Sequence, residues 1–172
     1  MDYHSARFSD HSVMIFKNDE LIGILPANES EQIIYSHQGL TYGGLIITEG
    51  LKLKEFTLTL CAVLAYFQDQ GYAQLIIKPL PALYGPIPHD ELQYLMFILE
   101  AKLMRRDALS VLNLAVRPKV SKDRLAGYKR AKKHGLELRE EDDLESFWNQ
   151  LLIPNLQSRY EVDPVHSVNE IT

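Results

Sequence analysis

The sequence predicts an α/β fold: a mixed, largely antiparallel sheet with helices on both of its faces. Three observations lead there. Short β-branched runs crowd the first fifty residues around polar turns, the pattern of antiparallel strands. From Leu51 onward, stretches with apolar residues at three- and four-residue steps alternate with short runs apolar on both faces, as in strands covered by helices. The length of 172 residues, with 46% hydrophobic and 24% charged, suits one domain, 1–172, with a substantial core.

Taken in order, Val13–Phe16 and Leu21–Leu25 flank the polar pair Asn18-Asp19 and read as a β-hairpin, closed by Pro26. Ile33–Tyr35 and Leu45–Ile47 are further strand pieces, separated by a glycine-rich stretch from Ser36 to Gly44. Leu51–Gln70 reads as a helix, because Leu53, Phe56, Leu60, Val63, Leu64 and Phe67 share one face; Gly71 stops it. Gln74–Lys78 is a central strand, and Pro79, Pro81, Pro86 and Pro88 forbid regular structure after it. A second helix is expected over His89–Arg106 and a strand over Ala108–Val116. Ser121 caps a third helix that runs to His134 and ends at Gly135. Leu136–Arg139 is a brief strand. Asp142 or Asp143 caps a last helix carrying Leu144, Phe147, Trp148, Leu151 and Leu152, closed by Pro154. Residues 153–172 read as a tail or linker.

Composition excludes several classes of function. A net charge of −5 argues against a dedicated nucleic-acid binder, which needs a local excess of Lys and Arg. The single cysteine, Cys61, cannot form an internal disulfide, and its apolar neighbours mark it as a buried small hydrophobe. No apolar run reaches the roughly 18 residues of a membrane span. The polar start Met1-Asp2-Tyr3-His4 lacks a signal-peptide core, so a cytoplasmic location is expected. No His, Cys or acid cluster has metal-ligand spacing, so no metal is expected.

Two stretches can carry chemistry. Tyr35–Gly44 sets two Tyr, a His, a Gln, a Ser and a Thr among three glycines. Glycines let a ligand approach the backbone, and His37 titrates near neutral pH; equally, the stretch is a bulged strand pair whose polar groups satisfy one another. No Gly-Lys-Ser/Thr follows, so it is not a phosphate-binding loop of that type. The second stretch is Lys78–His89, where Lys78 ends a strand and Tyr84 and His89 flank the prolines; such a lysine meets an anion or simply reaches solvent. A basic run from Arg117 to Lys133 precedes an acidic set from Glu137 to Glu145. These are solvated helix faces, or else a phosphate cradle for which Arg124 and Arg130 are the better donors.

Leu25-Pro-Ala-Asn28, Tyr35–Gly44, Lys78-Pro79, Gly127–Gly135 and Pro164-Val-His-Ser167 together resemble bacterial GNAT-type N-acyltransferases related to the Fem-like aminoacyltransferases of peptidoglycan synthesis. The resemblance covers nearly the whole chain and implies a GNAT-like fold. It also implies acyl transfer to an amine, with acyl-coenzyme A or an aminoacyl-tRNA as donor. Fem-like proteins have two such lobes, and this chain resembles the first alone, short of the family at both ends. Arg124-x-x-Gly127 starts the family's pyrophosphate signature, but Lys129 takes the place of its last small residue.

On that resemblance, the acceptor is a small-molecule or nucleotide-linked amine, such as a cell-envelope sugar or peptide precursor. His37 and Tyr42 are the expected proton-handling residues. Tyr35, Ser36, Gln38, Gly39, Gly43, Lys78 and Tyr84 are expected to contact substrate, and Arg124 and Arg130 phosphate. The other reading is a non-catalytic binding or scaffold lobe without donor-binding capacity. A homodimer, each copy supplying the lobe the other lacks, is a further expectation.

Overall fold

The computed structural model describes residues 7–85, 90–116, 118–140 and 142–171. Its strands are β1 (Ser9–Asp10), β2 (Val13–Lys17), β3 (Glu20–Leu25), β4 (Asn28–Ser30), β5 (Ile33–Tyr35), β6 (Ile46–Ile47) and β7 (Leu75–Ile76). Its helices are α1 (Leu53–Asp69), α2 (Glu91–Ile98), α3 (Lys122–Lys133), α4 (Leu144–Phe147), α5 (Ile153–Tyr160) and α6 (Val168–Ile171). The protein is thus a mixed α/β structure rich in antiparallel pairing. The chain divides into two compact units, Met1–Asp107 and Ala108–Thr172.

In the first unit the strands form two sheets where the sequence suggested one. One has the order β1-β4-β5-β7 and the other β2-β3-β6. Every pairing is antiparallel except β5 with β7, which sets Ile34 beside Leu75 and Tyr35 beside Ile76. The predicted β2–β3 hairpin is present. Asn18 and Asp19 both take left-handed backbone, φ 49° and 64°, and such a two-residue turn matches the twist of the flanking strands. A second hairpin, unforeseen, joins β4 to β5 through Glu31 and Gln32, φ 54° and 62°. Its signal is weak because Glu-Gln is not a usual left-handed pair; the Glu29 carboxylate accepts the Gln32 amide at 2.8 Å and helps hold the turn.

Helix α1 covers the strands. Its Val63 and Phe67 join Leu25, Ala27 and Ile34 in one buried cluster, and its Phe56 and Leu60 join Leu95 of α2 in another. Each such fully buried side chain contributes about 1.5–3 kcal/mol. The helix ends as predicted. Gly71 (φ 91°) lets Tyr72 N–H reach the Phe67 carbonyl at 3.0 Å, and Gly71 N–H reach that of Gln68 at 2.9 Å, which is the Schellman closure. Cys61 departs from expectation and is exposed. It stands one residue past buried Leu60, so the helix turns it about 100° away from the core.

Helix α2 is shorter than expected. Its predicted first residue, His89, lies outside the described residues, and it ends near Leu99. There Glu100 adopts φ 52° and Ala101 N–H closes onto the Met96 carbonyl at 2.9 Å, a closure usually signalled by glycine.

The second unit is helical. Ser121 Oγ accepts the Arg124 amide at 3.4 Å and Asp143 Oδ1 accepts that of Ser146 at 2.9 Å, so both predicted caps are in place. The expected strands at 108–116 and 136–139 do not form. At the first, Asn113 Oδ1 accepts the Ala115 amide at 2.9 Å and turns the chain. At the second, no strand among the described residues supplies the hydrogen bonds an extended backbone needs. Pro154 does not close the last helix either. A π-helical stretch over Trp148–Leu152 joins α4 to α5; the widened turn absorbs the amide that proline lacks.

Candidate functional site

The candidate site is a loop that leaves β5 and docks again beside the continuation of its neighbour β7. β5 ends at Tyr35, and Ser36 N–H extends the parallel pairing to the Ile76 carbonyl at 2.8 Å. The chain then turns sharply. His37 N–H donates to the Tyr35 carbonyl at 2.7 Å and Leu40 N–H to the His37 carbonyl at 3.1 Å. It returns at Gly43, whose N–H donates to the Lys78 carbonyl at 2.9 Å and which bridges in parallel to Pro79. Ser36 Oγ accepts the Lys78 amide at 2.7 Å. Both ends of the excursion are therefore fastened to one short run, Ile76–Pro79.

Glycine is required at the return. A Cβ on Gly43 would lie 2.4 Å from the Ser36 carbonyl oxygen, well inside contact distance. Gly44 has φ 87°, which strains any other residue.

His37 is 1% exposed and itself left-handed at φ 50°. Its Nδ1 accepts the Gly39 amide at 3.2 Å, so in the neutral ring the proton sits on Nε2. Phe8 meets the imidazole edge-on at 5.3 Å. In this arrangement the ring holds the loop together and does not face solvent. A second lock comes from Asn28, fully buried. Its Oδ1 accepts the Gln38 amide at 2.7 Å and its Nδ2 donates to Gln38 Oε1 at 2.8 Å. In the sequence, Asn28 stood out only within the Leu25–Asn28 stretch of the family resemblance, with no role for its side chain.

Three groups on or beside the loop keep some exposure: Lys78, Tyr42 and Tyr84. Lys78 is half-buried, and its Nζ donates to the Leu40 carbonyl at 2.5 Å. Burial pushes its ammonium below the ordinary lysine value. Among the described residues no carboxylate forms an ion pair with it. The Tyr42 and Tyr84 rings lie 5.6 Å apart, tilted by 45°, with Tyr84 59% exposed. The loop thus joins a cation with no carboxylate partner among the described residues to a pair of aromatic faces.

Of the sequence candidates, Ser36, His37, Gln38, Gly39, Tyr42 and Gly43 fall in this loop, Tyr35 ends the strand before it, Lys78 lies on the run that holds it, and Tyr84, on the turn Ala82–Tyr84, meets it through the Tyr42 ring. Arg124 and Arg130 belong to the second unit. They lie exposed on α3. Six residues apart, they point about 120° from each other around the helix, so α3 alone cannot aim both at one phosphate. His89, Arg117 and Glu141 lie outside the described residues. Two surface hollows are formed elsewhere, one lined by Lys17, Lys52, Lys54, Glu55 and Leu58 and one between α1 and α2. Among the described residues no group of three or more His, Cys, Asp and Glu is placed to hold a metal. Nor is any helix there long and apolar enough to cross a membrane. No family model, curated protein or solved structure matches the chain.

Proposed function

We propose that the chain is the acceptor-binding lobe of a GNAT-type, Fem-like N-acyltransferase. The observation that carries this reading is Lys78: a half-buried lysine whose ammonium is held by a backbone carbonyl of a glycine-dependent loop and has no carboxylate partner among the described residues. Such a cation attracts a carboxylate or phosphate, and the tilted Tyr42–Tyr84 pair offers flat faces for a sugar or base beside it. Those are the groups of a nucleotide-linked or cell-envelope amine acceptor. The antiparallel strands, helix α1 and the parallel β5–β7 pairing accord with a GNAT-like fold.

In the reaction proposed, the acceptor amine attacks the carbonyl of a thioester or ester, from acyl-coenzyme A or an aminoacyl-tRNA. The C–N bond forms, the carbonyl's C–S or C–O bond breaks, and the amine's proton passes to the leaving thiolate or alkoxide. Lys78 and the tyrosines orient the acceptor, while buried His37 fixes the loop that carries them. The divergence of Arg124 and Arg130, and Lys129 in the signature's last position, favour the second reading, in which this lobe binds an acceptor without binding the donor.

Thiol release from acetyl-coenzyme A with a panel of amino sugars and nucleotide-linked amines tests the first reading. Melting curves with each compound alone separate the two. Saturation by a true ligand stabilises by about 2.7 kcal/mol at a hundred times Kd, which raises Tm by about 5 °C or more for a chain of this size. A shift with acceptor alone, lost in Lys78→Met, supports the binding lobe; thiol release supports the enzyme. No shift with any such amine and no thiol release removes both.

A further inference from the structure

We infer that Asn28 is a positioning residue of the Lys78 site: from inside a sheet it seats the loop whose Leu40 carbonyl holds the Lys78 ammonium. Asn28 opens β4, which runs between β1 and β5, and it has Asp10 beside it on one flank and Tyr35 on the other. Its backbone is therefore held on both sides. Its side chain is fully buried and grips Gln38 twice, at the main-chain amide (2.7 Å) and at Oε1 (2.8 Å). A carboxamide offers an acceptor and a donor side by side, which this double grip requires. Nδ2 also donates to the Glu29 carbonyl at 3.3 Å, so the buried amide is satisfied.

The grip reaches the cation through two residues of chain. Leu40 follows Gln38 by two positions, and its carbonyl accepts Lys78 Nζ. The other bonds of the turn join near neighbours: His37 N–H to the Tyr35 carbonyl, Leu40 N–H to that of His37, and Gly39 N–H to His37 Nδ1. They shape the turn, while Asn28 ties it to a different strand. The turn also holds His37 in left-handed backbone, φ 50°, which persists only where the surroundings impose it. Burial is what lowers the Lys78 ammonium, so its proton affinity reports whether the loop is seated over it. With the grip released, the Leu40 carbonyl withdraws, water reaches the ammonium, and an anion meets a mobile cation instead of a fixed one. The ligand here is that of the acceptor-binding reading, on which this inference rests; the seating of Lys78 is measured without any ligand.

NMR titration of the full chain with isotope-labelled lysine tests it, with Lys78→Met to identify the Lys78 signal. In the native chain Lys78 should lose its proton at lower pH than the exposed lysines. In Asn28→Leu, close in size and without the amide, its titration should move up to join theirs, and inorganic phosphate should bind it about tenfold more weakly or worse. Gln38→Ala, at an exposed side chain, removes one of the two bonds and should move the titration part of the way. Leu60→Ala truncates the core in the other buried cluster and should leave it unmoved. Circular dichroism shows whether each variant is folded; if Asn28→Leu is not, Gln38→Ala decides. A Lys78 titration unmoved in the folded variants overturns the inference, and so does an equal move in Leu60→Ala. If phosphate leaves the native Lys78 signal unchanged while the Asn28 and Gln38 variants still move its titration, the acceptor-binding reading falls and the seating of Lys78 by Asn28 stands.

Discussion

The two units of this chain are ordered by different means. In Met1–Asp107, leucines, isoleucines and phenylalanines from strands and α1 close over one another, and Leu25, Ile34 and Leu60 are 2% exposed or less. In Ala108–Thr172 no described residue is buried. What holds the second unit is local. Ser121 and Asp143 cap helices, Gly135 closes α3, and Ser167 N–H donates to Glu170 Oε2 at 2.6 Å ahead of α6. The Trp148 ring N–H donates to the His166 carbonyl at 3.2 Å. Caps and turns contribute about 1 kcal/mol each, and helices of a dozen residues are marginal without a buried face. Burial therefore sets the stability of the first unit, and hydrogen bonding along the chain sets the shape of the second. The candidate loop belongs to the first kind, where a side chain can be held in place against water.

Substitutions probe this contrast most sharply where burial is complete. Ile34→Ala should cost about 2–5 kcal/mol in denaturant unfolding; a loss below 1 kcal/mol would mean the first unit has no working core. Gly43→Ala should cost about 2–3 kcal/mol, since its Cβ meets backbone that cannot move freely. It should also abolish any ligand shift that depends on Lys78.

Asp143→Ala should cost about 1 kcal/mol and act only locally. Amide exchange should speed in α4 and α5 while the strands remain protected. Equal loss of protection across both units would erase the distinction drawn between them.

The smallest effects are electrostatic. Hydrogen bonds from the Ser12 hydroxyl and amide hold the Asp10 carboxyl down at about 2. A depressed carboxylate stabilises the fold above its unfolded value and loses that contribution as pH falls toward 2. Because Asp10 is exposed, water screens the gain to below about 1 kcal/mol. Ser12→Ala should raise the Asp10 value seen by NMR. Lys78 gives a slope of the same sign in an alkaline window. Its folded value is lowered, so stability should rise with pH between the folded and unfolded lysine values, and Lys78→Met should flatten that rise.

Much of the candidate loop was legible because glycine and proline speak locally. Gly43 and Gly44 mark close approach and left-handed backbone, and Pro79 ends the strand that receives the loop. Lys78 stood out by its place at that strand's end. The buried lock of Asn28 on Gln38 did not stand out. Ten residues separate them, and only the β4–β5 hairpin brings them together. Cys61 was misjudged by one helical step.

The sequence by itself determined α1 and its glycine stop, the Asn18-Asp19 hairpin, the caps at Ser121 and Asp143, and the glycine-bound loop at 36–44. Each depends on interactions within a few residues, whose preferences a linear string records. Tertiary structure alone decided that the strands divide into two sheets and that His37 turns inward. It also decided that 108–116 stays unpaired among the described residues. An apolar run becomes a strand only when a neighbour takes its backbone hydrogen bonds, and a histidine becomes buried only when other side chains close over it. Both conditions are set by residues far away in the chain.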